Sequence, residues 1–232
     1  MTSERGLSGR LQQAWRDAAV RVDAAGPPPA GRRPVWRDLS TWFGAIVFML
    51  GLTAVLWIVQ IVNGASDQRL NRFGLRPRHV DGLWGVLTQP FLHSSWGNLL
   101  SDTLPFLLIG WVVLIGGLRE WTIVSGTVLL LGGFATWLVA PNGLLLGAGG
   151  VVFGWLGYLL TRAVVARRIR WILTAIMVLL IFGTLLGSLA PDYKAESAWA
   201  SHLCGFLAGV LIAIVLHPHK SRIRNAGKKA TV

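Results

Sequence analysis

Cysteine is almost missing from this chain: Cys204 is the only one in 232 residues, and it lies inside the last long apolar run. That excludes an internal disulfide and any CxxC metal site, and leaves a small, buried helix residue as the expected role of Cys204. Acidic residues are scarce as well, ten against twenty-two Lys and Arg, for a net charge of +12. Charge of both signs together makes up only 14% of the chain, against 53% apolar residues and a mean hydropathy of +0.56. A water-soluble domain of this length needs more charge on its surface. The positive excess does not describe a nucleic-acid-binding face either, because the basic residues sit at the ends of apolar runs. A cleavable signal peptide is also lacking. Residues 1–37 are polar, dotted with arginine and interrupted by Pro27-Pro28-Pro29.

What the chain has in abundance is long uncharged stretches. Residues 39–66, 121–161, 171–191 and 197–219 hold no Asp, Glu, Lys or Arg, and between Asp81 and Arg119 the only charge is Asp102. A helix needs ~20 apolar residues to cross the hydrocarbon of a bilayer. The stretches predict an all-α membrane protein with six spans, at 41–63, 96–117, 121–140, 144–161, 171–189 and 198–216. Pro141-Asn142-Gly143 supplies the break inside the longest stretch. Around this membrane domain, 41–217, stand an N-terminal tail, 1–40, with a short amphipathic segment at 7–22, and a basic tail, 218–232. The connection 64–95 is too long for a helix hairpin and is expected to carry structure of its own.

Orientation follows from the basic residues. With both termini in the cytoplasm, seventeen of the twenty-two Lys and Arg fall on the cytoplasmic side. Arg69, Arg72, Arg76, Arg78 and Lys194 fall outside. A multi-pass protein of the cell membrane, N-in and C-in, is the expectation. Trp36, Trp42, Trp84, Trp96, Trp121, Trp171 and Trp199 lie near span ends, as interfacial anchors do.

Two small-xxx-small faces, Gly150 with Gly154 and Gly205 with Gly209, predict that the fourth and sixth spans pack closely. Polar residues inside spans are functional candidates, because leaving them unpaired in hydrocarbon costs several kcal/mol. They gather in His93 to Asp102, in Gly147-Ala148-Gly149-Gly150 and in Ser201-His202, all toward the extracytoplasmic end. Asn98 and Asp102 share a helix face one turn apart. Asp102 needs a polar partner, with Asn98 or His202 the nearest by helix geometry. The residues alone leave three classes open: a protease, a protein that binds other membrane proteins, and a transporter using Asp102 and His202 as a proton relay. Inverted repeats and paired broken helices, which would favour the transporter, are not visible.

Three motifs, FLHSSWGNLLSDTLPFLLIG, GAGGVVFGWLGYLL and AWASHLCGFLAG, in this order and on the second, fourth and sixth spans, resemble the rhomboid family of intramembrane serine proteases. The TLPFLLIG continuation is of the kind found in actinobacterial members. The resemblance runs from about residue 70 to 216. It implies a Ser–His dyad, with His202 at the general-base position and Gly149 where the nucleophilic serine stands. It places Asn98 and Asp102 at the helix-two positions that stabilise the oxyanion. Glycine at 149 removes the covalent route, and an ionised Asp102 would repel an oxyanion. Ser201 and Ser101 are poor substitutes, since each neighbours its would-be partner on one helix and points roughly 100° away. The resemblance therefore implies a catalytically silent, pseudoprotease-like bundle that takes up transmembrane helices of client proteins, with no cofactor, no metal and no nucleic acid. The alternative is an active intramembrane serine endopeptidase whose parent form carries serine at 149.

Overall fold

The computed structural model describes residues 35–190 and 198–217. The amphipathic segment at 7–22, the basic tail 218–232 and Lys194 lie outside the described residues. So does the N-terminal tail up to residue 34; residues 35–40 are helical. The chain divides into two compact units, Met1–Ser40 and Thr41–Val232, and the second holds the architecture.

Among the described residues, six helices are long and apolar enough to cross a membrane: α1 (Trp42–Ala65), α2 (Trp96–Ile115), α3 (Leu118–Val139), α4 (Gly149–Ala166), α5 (Ile169–Leu189) and α6 (Ala198–Leu216). Helices rich in Val, Ile and Phe persist because lipid offers the backbone no hydrogen-bond partner, so each segment must satisfy its own N–H and C=O groups. Because consecutive helices run in opposite directions, α2, α4 and α6 all begin at one end of the bundle. α4 is the central helix, with 61% of its apolar window buried against 17% for α5.

The largest helix–helix interface joins α4 to α6. It is built on missing side chains. A Cβ on Gly205 would run into the Gly150 carbonyl, and one on Gly209 into the Gly154 carbonyl. Contact this close gives van der Waals attraction along two backbones, which is what holds helices together where no hydrophobic effect separates them from lipid. On its other side α4 meets α2, where Trp155 packs against Phe106 at 5.1 Å between ring centroids.

α4 starts at Gly149 and not at residue 144, a correction to the span read from hydropathy. Leu144 to Ala148 run non-helically, and Leu145 pairs with Leu75 through two backbone hydrogen bonds of 2.9 and 3.1 Å. Gly147 then turns the chain at φ 115°, a conformation open to glycine and strained for other residues. The long connection 64–95 folds into short helical turns over the ends of α3 and α6. Arg78 anchors it by donating to the carbonyls of Ala140 (2.6 Å) and Leu138 (3.3 Å). Leu75, Ala140, Leu145 and Ala200 bury together beneath it.

Candidate functional site

A cavity of about 480 Å³ opens where α2, α4 and α6 begin. Its walls bring together Asn98 and Asp102 from α2, Gly149 and Gly150 from α4 and His202 from α6. Leu144 to Gly147 close it from the segment before α4, and Gln89 from the long connection. Sequence positions more than a hundred apart thus face one space.

Gly149 lies against His202. A Cβ built on Gly149 would point into the imidazole, with Nε2 the nearest atom and Cδ2 at 2.8 Å. Real side chains do not tolerate such contacts, so the ring stands partly in the space that any side chain at 149 would need. Two contacts fix the ring there. It stacks on Phe153 with centroids 4.4 Å apart and planes inclined by 21°. Its Nδ1 lies 3.3 Å from the Ser188 carbonyl. With Nδ1–H donating to that carbonyl, Nε2 keeps its lone pair toward Gly149.

No hydroxyl among the described residues hydrogen-bonds His202. The Ser201 hydroxyl is buried and accepts from Gln89 Nε2 at 2.9 Å. Ser101 donates to the Asn98 carbonyl at 2.8 Å, and Ser188 to the Leu185 carbonyl at 2.7 Å. Among the described residues, the serine hydroxyls around the imidazole are therefore committed to other partners.

Asp102 does have polar partners, though not the expected Asn98 or His202. Its Oδ2 accepts the Ala148 backbone N–H at 2.9 Å and lies 3.5 Å from Nε2 of His93, which is fully buried. The first contact follows from the helix end. The N–H groups opening α4 have no intrahelical acceptor, and a carboxylate there is stabilised by both the hydrogen bond and the helix dipole. The carboxylate thus takes one of the backbone N–H groups, that of Ala148, at a helix end able to hold an anion. Asn98 sits beside it; its Oδ1 is buried with no hydrogen-bond partner among the described residues. The N-cap of α2 is Ser95, whose hydroxyl accepts the Asn98 N–H at 3.1 Å.

Three contributors escaped the reading of the sequence. Gln89 ties the long connection to the site twice, through Ser201 and by accepting the Gly147 N–H at 3.1 Å. Ser188 orients the imidazole through a main-chain carbonyl, which no side-chain motif reports. Phe153 provides the stacking surface for the ring; its place one turn after Gly149 on α4 was the available signal.

Residues 80–219 match the profile of the Rhomboid domain. An uncharacterized protein of Mycobacterium tuberculosis is 32% identical over 191 residues, covering 79% of this chain and 80% of its own length. An uncharacterized protein of Mycobacterium leprae is 31% identical over 191 residues, covering 79% of this chain and 76% of its own. The Rhomboid match runs through the helices that carry the cavity, and on it the chain belongs to the rhomboid family, as a membrane protein of the intramembrane-protease type.

Proposed function

We propose that this chain is a proteolytically silent rhomboid-family protein that binds transmembrane segments of client membrane proteins. One observation carries the reading: Gly149 faces the His202 imidazole with no hydroxyl between them. Without a nucleophile the imidazole has nothing to activate, and the acyl-enzyme route is closed. Asp102 adds to this, since its carboxylate holds the Ala148 N–H and sets a negative charge where an oxyanion would develop. What the fold keeps is a polar cavity of about 480 Å³ at one end of an apolar bundle, able to meet a polar group on an otherwise apolar helix. The seventeen basic residues counted to one side support a cell-membrane protein with both termini in the cytoplasm and the cavity toward the other side.

A photo-crosslinking residue in place of Leu146, on the cavity wall, tests client binding in the native membrane. Crosslinks to transmembrane segments of other proteins are expected. Labelling of lipid alone, with the crosslinker active, contradicts the reading.

The rival reading, a serine endopeptidase inactivated by change at residue 149, is favoured by the nearness of that position to His202. It requires more than one reversal. Gly149→Ser alone is expected to stay silent, because Asp102 would still occupy the Ala148 N–H. Gly149→Ser with Asn98→His and Asp102→Asn is expected to cleave. Cleavage by the single variant at the rate of the triple would favour the rival.

A further inference from the structure

The cavity's polar walls are unusual in sign. Asp102 presents a carboxylate whose Oδ2 has taken the Ala148 N–H, while Oδ1 has no protein donor among the described residues. Asn98 Oδ1 is likewise without a donor. His202, with Nδ1 committed to the Ser188 carbonyl, offers the Nε2 lone pair. These acceptors converge. From a Cβ built on Gly147, Asp102 Oδ2 lies 3.2 Å away, Asn98 Oδ1 3.4 Å and the Asn98 Nδ2 donor 3.7 Å. Two residues further on, His202 Nε2 faces Gly149. Asp102, Asn98 and His202 all line the same cavity of about 480 Å³. Three acceptors, one of them charged, around one space call for a ligand with several N–H donors and a positive charge.

We propose that the cavity recognises a primary ammonium group, carried by a lysine side chain near the end of a client's transmembrane segment. The inference rests on the client-binding reading above and names the feature by which clients are chosen. An ammonium has three donors and no acceptor, which matches the free acceptors of Asp102, Asn98 and His202. Its long aliphatic stem reaches a polar end while staying in apolar surroundings. A lysine buried in lipid without a carboxylate is costly, so a cavity that supplies one gains selectivity from relieving that cost. Carboxylate groups on a client are disfavoured by the same charge.

The test uses the full chain in nanodiscs of phosphatidylcholine, whose headgroup has no N–H donor. Apolar helical peptides differing only at one position near an end carry lysine, norleucine, acetyl-lysine or glutamate there, and binding is followed by energy transfer. The lysine peptide is expected to bind at least ~10-fold tighter than the norleucine and acetyl-lysine peptides, about 1.4 kcal/mol, and the glutamate peptide weakest. Asp102→Asn is expected to bring the lysine-to-norleucine ratio to near unity, whereas Asp81→Asn, on the exposed connection, keeps it. The norleucine and acetyl-lysine arms test the unchanged chain, so a misfolded Asp102 variant does not rescue the idea. Equal binding of all four peptides, or a lysine preference that survives Asp102→Asn, overturns this inference and leaves client binding standing. Binding of none of them overturns both.

Discussion

At the end of the bundle where α3 and α5 begin, Arg162 donates to Glu120 and, at 3.0 Å, to the Tyr158 hydroxyl. Its guanidinium lies 3.5 Å over the Trp171 ring. Tyr158 in turn donates to Glu120 at 2.5 Å and meets His217 Nε2 at 3.1 Å. Charges of both signs are paired there, with Arg162 Nε the unpaired donor of the guanidinium among the described residues, and residues of α3, α4 and α5, with His217 just past α6, are tied together. At the other end Asp102 has a backbone N–H and a histidine, Asn98 Oδ1 has nothing, and a cavity stands open beside them. A polar cluster whose opposite charges are paired ties helices together; one with a free acceptor beside a cavity leaves room for a partner group. The same helix, α4, carries a residue set for each.

The contrast can be broken most severely at the ion-paired end. Arg162→Ala leaves the half-buried Glu120 without its cation and empties the buried space of the guanidinium, and is expected to cost ~2–4 kcal/mol, read by reversible unfolding in detergent. A drop under ~1 kcal/mol would show that the cluster is not a clamp. The α4–α6 seam comes next. Gly205→Val is expected to cost ~1–3 kcal/mol, because the new side chain meets the Gly150 carbonyl. Gly51→Ala, with nothing within 4 Å, should be neutral or gain slightly.

A pH titration sharpens the comparison further. Burial, and then the nearby Arg162 charge, push His217 below its ordinary pKa of 6.5, with Glu120 opposing. The unfolded chain therefore takes up a proton that the folded chain resists. Stability is full above about pH 6.5 and falls as pH drops from there toward the folded-state pKa. The slope is at most ~1.4 kcal/mol per pH unit for one group, and His217→Gln should remove it. At the open end the effect is smallest. Asp102→Asn trades a charged cap for a neutral one and should change stability by under ~1 kcal/mol, while altering ligand preference.

The number and places of the spans were legible because membrane thickness imposes length and lipid imposes hydropathy. The start of α4 was not. Leu144-Leu145-Leu146 are as apolar as any helix, and only pairing with Leu75, far away in sequence, makes that segment extended. The motif placed Gly149 and His202 on helices that meet, and the structure sets them in contact. Asp102's partner was missed for a different reason. Helix arithmetic considers neighbours on the same helix, whereas His93 precedes the start of α2 at Trp96 and folds back under it. Gln89 lies in a connection with no periodicity to read, and its partner Ser201 is 112 residues away.

Proteolysis by the unchanged chain is the most direct measurement. Purified protein in liposomes with a transmembrane substrate should yield no cleavage product, and His202→Ala should leave that result the same. A product that forms with the unchanged chain and disappears in His202→Ala would contradict the silent site.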